Sequence, residues 1–236
     1  MSGAAMAALL GLAAAAWPQA SSRVAGGVVS SREWRVHRGQ QKEEEFTGEV
    51  RYRTGPNVVR CDWARYKHEP QTWQLRGHVA VDRKLESGDR VEVSGNRGFF
   101  DGRKRSGWLI ADDQVSFSRT PADGSAPDLG KATRLEWQGR EHASLVGLVH
   151  LWGPRLESWS DRADYSDETG ELKLAGGRPV LWKFPGWDFD DDWSAALKAD
   201  DVRAWRTQHR LVADGGVTGW LEFKDLKGIA SGRAGR

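Results

Sequence analysis

In three strand–turn–strand stretches of the chain an aspartate is followed, fifteen residues later, by a glycine: Asp62 and Gly77, Asp161 and Gly176, Asp200 and Gly215. The copy from Asp161 to Gly176 is the clearest. Asp161, Ala163 and Tyr165 alternate, then Leu172, Leu174 and Gly176 alternate, and the polar, Gly-ended stretch Ser166–Gly170 lies between. A period of two places each set on one face of a strand, and the stretch between them has turn chemistry. Asp62, Ala64 and Tyr66 with Leu75 and Gly77 repeat the pattern; Asp200 to Gly215 is a degenerate copy. After each glycine an apolar strand restarts, at Val79, Val180 and Val217. Weaker copies run from Val91 to Ala111, across an insertion around Phe99–Lys104, and from Ala132 through Gly147 to Val149 and Leu151. The unit thus recurs every 30 to 40 residues or so, roughly five times.

Two short strands cannot bury a face alone, whereas stacked pairs share a continuous interior. The expected fold is therefore all-β: an elongated, antiparallel, two-walled body over residues 46–224. Residues 21–45 are polar and read as a flexible lead-in; residues 225–236, with three glycines, read as a mobile tail. The Ala-rich stretch within 192–205 reads as a short helix or loop between repeats. An open sheet leaves unpaired backbone at both ends, expected at Thr47–Arg53 and Val217–Phe223, where another chain could add a strand.

Composition narrows the function. A net charge of +2 with interspersed signs offers no electrostatic stripe for nucleic acid. The single Cys61 excludes an internal disulfide and a Cys-rich zinc site, and packs as a small hydrophobe. The six histidines show no metal-ligand spacing, and no nucleophile elbow, phosphate loop or dinucleotide fingerprint occurs. Asp188–Asp192 has oxygen ligands for calcium but lacks the Gly and distal Glu of a helix–loop–helix site, so it reads as a solvated turn. The expectation is a protein without catalytic residues, metal or cofactor. Residues 1–20 resemble an export signal: the apolar run from Ala4 to Trp17 is shorter than the roughly 20 residues that span a bilayer. Cleavage would release the chain into the periplasm, and an uncleaved segment would tether it at the inner membrane.

The pattern Asp-x-Ala-x-Tyr, polar turn, Leu-x-Leu-x-Gly at Asp161–Gly176, and its partner at Asp62–Gly77, resembles the OstA-like repeat of the LptA and LptC lipopolysaccharide-transport proteins. The resemblance covers residues 46–223 and rests on spacing, not on a reactive residue. It implies a periplasmic β-jellyroll, or β-taco, whose apolar groove holds the acyl chains of lipid A. It also implies partners: lipopolysaccharide or a related lipid, other OstA-like proteins joined edge to edge, and copies of itself stacked head to tail.

An apolar slot suits such a ligand on physical grounds too. Burying each methylene is worth about 0.8 kcal/mol, so one acyl chain could contribute on the order of 10 kcal/mol before entropy costs. The expected wall residues are Val79, Val81, Val149, Leu151, Leu172, Leu174, Val180 and Trp182. Parity says that they share a face, but leaves open whether lipid or protein fills it. A rival reading uses Trp63, Trp73, Trp137, Trp152 and Trp159 as a stacking platform for sugars, in a secreted carbohydrate-binding module.

Overall fold

In a computed structural model, residues 20–39, 41–139, 142–154, 157–177, 179–182, 193–205, 208 and 210–223 are described. They contain no helix and form one open antiparallel sheet of 17 strands. Strands β1 (Ala20–Val24), β2 (Gly27–Ser31) and β3 (Glu33–Arg38) precede a meander of long strands. That meander is β4 (Lys42–Thr54), β5 (Asn57–Lys67), β6 (Thr72–Lys84), β7 (Arg90–Asp101), β8 (Ser106–Thr120), β9 (Asp128–Gln138), β10 (His142–Trp152) and β11 (Glu157–Ser166). From there each strand is split in two: β12 (Glu171–Ala175) and β13 (Val180–Trp182), β14 (Trp193–Lys198) and β15 (Asp201–Trp205), β16 (Arg210–Asp214) and β17 (Thr218–Phe223).

The Asp–Gly spacing marks where the sheet folds. Gly77–His78, Gly176–Gly177 and Gly215–Gly216 each place two consecutive residues at positive φ, as do Gly48–Glu49 and Gly147–Leu148. Two left-handed residues in a row turn a strand sharply, and glycine takes the first position at little steric cost. Glycine is needed a second time because the neighbouring strand comes close. A Cβ on Gly77 would stand 2.8 Å from the Cβ of Asp62, and one on Gly176 would stand 2.9 Å from that of Asp161. Gly215 meets Asp200 in the same way, at 2.8 Å. These positions line up as a crease, and the strand register shifts there along the sheet. In β8 a bulge takes the place of glycine: Ile110 pairs with Arg134 and Val115 with Ala132, so residues 111–114 face Thr133 alone.

The crease divides every long strand between two walls. Ala64, Leu109 and Leu174 lie on the lower wall; Val79, Val115 and Val149 lie on the upper wall, and all are buried between the two. The expected all-β, two-walled architecture is the one observed, built from antiparallel repeats.

Three local expectations change. The sheet begins at Ala20 and not at Phe46, so the described part of residues 21–45 is ordered structure. Its polarity comes from β3, an edge strand that pairs only with β4, because charge is how natural sheets blunt an edge. The Ala-rich stretch forms β14 and β15, since Ala195–Lys198 pairs with β17 and small side chains fit between packed walls. Helix propensity loses here to tertiary pairing. Thr47–Arg53 is not an edge either: β2 and β3 cover one side of β4 and β5 the other. The export segment up to residue 19, the Asp188–Asp192 loop and the tail after 223 lie outside the described residues.

Candidate functional site

The space between the walls is lined by rows of side chains in direct register. On the lower wall one row runs from Phe46 through Ala64, Leu75, Gly98, Leu109, Leu135, Leu145, Ala163, Leu174 and Val202 to Ala213. No polar side chain interrupts it. A second row, nearer the mouth opposite the crease, carries Tyr66, Trp73, Phe100, Trp137, Tyr165 and Leu172. The upper wall answers with Val59, Val81, Val93, Phe117, Leu151 and Leu181.

Six of the eight expected wall residues point inward. Val79, Val149, Leu151 and Leu174 are buried, while Val81 and Leu172 are partly covered on the same faces. Val180 and Trp182 point the other way. In β13 it is Leu181 that is fully buried, preceded by the buried Pro179, whereas Val180 pairs with the exposed Trp159 on the outer face. After Gly77 and Gly147 the first inward residue comes two positions later; after Gly176 it comes three later. One extra residue at the crease reverses the parity of everything that follows.

The two walls touch. Tyr52 of the upper wall lies 5.1 Å from Trp73 of the lower, ring to ring, and both belong to one apolar cluster with Val79, Leu109, Val149 and Leu174. Of the two alternatives that parity left open, protein fills this interior in the described structure. The filling is uneven. Through β9 it is made of rings: Phe46, Tyr52, Tyr66, Trp73, Phe100, Phe117 and Trp137. Beyond β9 the interior holds Leu and Val side chains (Leu145, Val149, Leu151, Leu174, Leu181, Val202) together with small ones, Ser158, Ser160, Ala163, Ala195, Ala204 and Ala213, and Tyr165 is the one ring among the side chains described. Ser158 is fully buried, and its hydroxyl has no hydrogen-bond partner among the described residues.

Two polar ties close the mouth. Arg119 of β8 forms an ion pair with Asp89 at 2.7 Å and donates to the Tyr165 hydroxyl on the opposite wall at 3.1 Å. Burial would push the Asp89 carboxyl up, but hydrogen bonds from Arg119 and the Ala122 N–H outweigh it and hold it below the usual range. At the N-terminal end Glu44 takes an inward position that elsewhere holds rings, and it is 2% exposed. It accepts hydrogen bonds from Ser22 and Trp34, each at 3.0 Å, and contacts His68 at 2.8 Å. Burial raises its carboxyl, yet the His68, Ser22 and Lys42 contacts overcome that and leave it low. Since β1 pairs with β2 above and reaches Glu44 below, it crosses this end of the interior, with its own Val24 buried there.

The C-terminal end has no such cover among the described residues. β16 pairs only with β15 and β17 only with β14, and Val217 stands 53% exposed beside them. This edge matches the one expected at Val217–Phe223.

The five tryptophans weighed as a sugar platform do not share a face. Trp73 and Trp137 are interior, Trp63 lies on the outside of the lower wall under Arg65 and Arg76, and Trp152 and Trp159 flank His150 on the outside of the upper wall. A shallow cavity of about 300 Å³ on the outer lower wall is lined by His142, Ser144, Asp164 and Lys173, among others. There Ser144 donates straight to Asp164 at 2.5 Å, and Arg162 binds both, so the carboxylate is already satisfied. Burial pushes the Cys61 thiol up to about 12, as suits a packed hydrophobe and not a nucleophile. No three His, Cys, Asp or Glu side chains gather as metal ligands among the described residues.

Sequence reasoning missed Glu44 and the Arg119–Tyr165 tie. Glu44 was within reach, because parity from Phe46 points it inward. The tie joins residues 46 positions apart across two walls, and no local pattern announces it.

A scan against protein-family models finds no match, and no curated protein matches the sequence either.

Proposed function

We propose that this chain is a periplasmic lipid-handling protein that carries or bridges lipopolysaccharide, with the acyl chains of lipid A between its walls. This is the role of the OstA-like LptA and LptC proteins that its repeats resemble. The supporting observation is the row from Phe46 to Ala213, an apolar track that crosses eleven half-strands without a polar break and ends at strands uncovered among the described residues.

Lipid enters by parting the walls. In the C-terminal half this costs less, because aliphatic and small side chains stand there in place of the rings, and Arg119 to Tyr165 is the polar tie described across the mouth. The uncovered strands β16 and β17 then serve as the docking edge for another OstA-like chain or a second copy, by strand addition.

A photoreactive amino acid in place of Leu174 tests this directly. In cells exporting the protein it yields a lipopolysaccharide adduct. If the only adducts are intramolecular, the interior is a closed core and the proposal fails. Deleting residues 218–223 leaves the fold intact and abolishes capture of partner chains; unchanged capture would contradict the docking edge.

A further inference from the structure

The outer face of the lower wall carries its own row of side chains beside the crease. Going across the strands it reads Trp63, Arg76, Arg97, Ile110, Arg134, Val146 and Arg162. Two of its four arginines are neutralised by the same device, a carboxylate two positions along the same strand. Arg134 binds Glu136 at 2.7 Å, and Arg162 binds Asp164 at 2.8 Å. At the matching positions Arg76 and Arg97 have Gln74 and Phe99.

Arg76 and Arg97 are also direct cross-strand partners on β6 and β7, and both are exposed. Like charges placed opposite each other in a sheet oppose folding. Neither makes a hydrogen bond or ion pair among the described residues; Arg76 only rests on the Trp63 ring, 4.9 Å from its centre. Nearby carboxylates serve other groups. Asp62 holds His78 at 2.7 Å, and Glu45 takes the Trp63 N–H at 2.8 Å and lies 3.7 Å from Arg65. Asp112 and Asp113, at the β8 bulge, form no ion pair with either arginine.

We infer that Arg76 and Arg97, with Gln74 beside them and Trp63 as a flanking ring, form a binding site for a phosphate monoester. Two guanidinium forks on neighbouring strands present pairs of parallel N–H donors to one small volume. A carboxylate has two oxygens and is satisfied by one fork. A phosphate monoester has three terminal oxygens and close to two negative charges, enough for both. The ring of Trp63, 4.9 Å from the Arg76 guanidinium, supports that fork at the edge of the site. The site lies on the outer face and makes no use of the interior, so its test and the Leu174 test fail separately.

Calorimetric titration of the intact protein at fixed ionic strength tests the site. The probes are inorganic phosphate, acetate, and phosphatidylcholine vesicles with or without phosphatidic acid. Phosphate binds more tightly than acetate; Arg76→Gln and Arg97→Gln each weaken phosphate about tenfold, the scale of one lost charge-assisted contact, while Arg134→Gln changes it less than about twofold. If phosphatidic acid vesicles bind with the same losses in the variants, the ligand is a lipid headgroup; if only free phosphate binds, it is a soluble ester. A second readout separates binding from folding. Without phosphate, each single variant melts no lower than the parent protein, since it relieves a repulsion, and each loses the upward shift in Tm that phosphate gives the parent. Undiminished phosphate binding by the double variant, or acetate binding as tightly as phosphate, overturns the site. So does a lower Tm in both single variants.

Discussion

The two halves of this sheet share a plan and differ in what they enclose. Through β9 the strands are continuous, the interior is packed with rings, and β1 crosses the end over a buried Glu44. Past β11 each strand is broken at the crease into two short pieces, the interior is lined with aliphatic side chains (Leu172, Leu174, Leu181, Leu197, Val202, Leu211) and alanine, and the last strands are uncovered among the described residues. The repeat thus accommodates two kinds of filling: rings in one half, aliphatic and small side chains in the other. Ring contacts are what make the difference, because dispersion grows with the number of atom pairs brought together.

The largest effect expected from this contrast is in the ring-packed half. Trp73→Ala, which removes contacts to Phe46, Tyr52 and Tyr66, costs about 3–5 kcal/mol of stability by urea denaturation. Leu174→Ala, in the same interior but among small neighbours, costs nearer 2 kcal/mol, at the low end of such substitutions. Equal costs would erase the distinction between the halves.

Next comes the crease. Gly77→Ala meets both a positive φ of 71° and the Asp62 Cβ, so it costs about 2 kcal/mol or more. Gly139→Ala, at a φ of 70° with nothing within 4 Å, costs about 1 kcal/mol. The difference between these two melting curves isolates the close approach from the backbone conformation.

Acid sharpens the comparison at the plugged end. Glu44 has a folded-state pKa below its ordinary value of 4.5, so its contribution is complete above that value and is lost as pH falls through the lower folded one. Glu44→Gln therefore costs about 1–3 kcal/mol at neutral pH, the scale of a broken buried hydrogen-bond set. The gap between variant and parent closes in strong acid. A gap that stays constant from pH 7 to pH 2 would mean that Glu44 is not the latch on β1. The smallest effect belongs to the other half: Ser158→Ala removes a buried hydroxyl without a partner among the described residues, and leaves stability unchanged or raises it by up to about 1 kcal/mol.

Much of this architecture can be read from the chain because the crease has strict local demands. Only glycine tolerates a left-handed backbone with a neighbouring Cβ pressed against it, so the Asp62–Gly77 and Asp161–Gly176 spacings mark the fold line. Between creases period two places Ala163, Leu172 and Leu174 inward. Parity cannot be carried through a crease of unknown length, and that is why Val180 and Trp182 trade places with Leu181. Composition misleads at the margins: the charged β3 is an edge, and Ala195–Lys198 is a strand held by its two neighbours. The wall-to-wall contacts of Tyr52 with Trp73 and of Arg119 with Tyr165 depend on how far the sheet folds over, which no short stretch encodes.

The central claim is that lipid occupies the ring-poor half of the interior. Leu75 and Leu174 belong to the same row of the same wall, one on each side of the contrast. Photocrosslinkers placed at these two positions, in parallel and at equal expression, give the most direct measurement. The account predicts a lipopolysaccharide adduct from Leu174 at several times the yield from Leu75. Equal yields, or adduct from Leu75 alone, would contradict it.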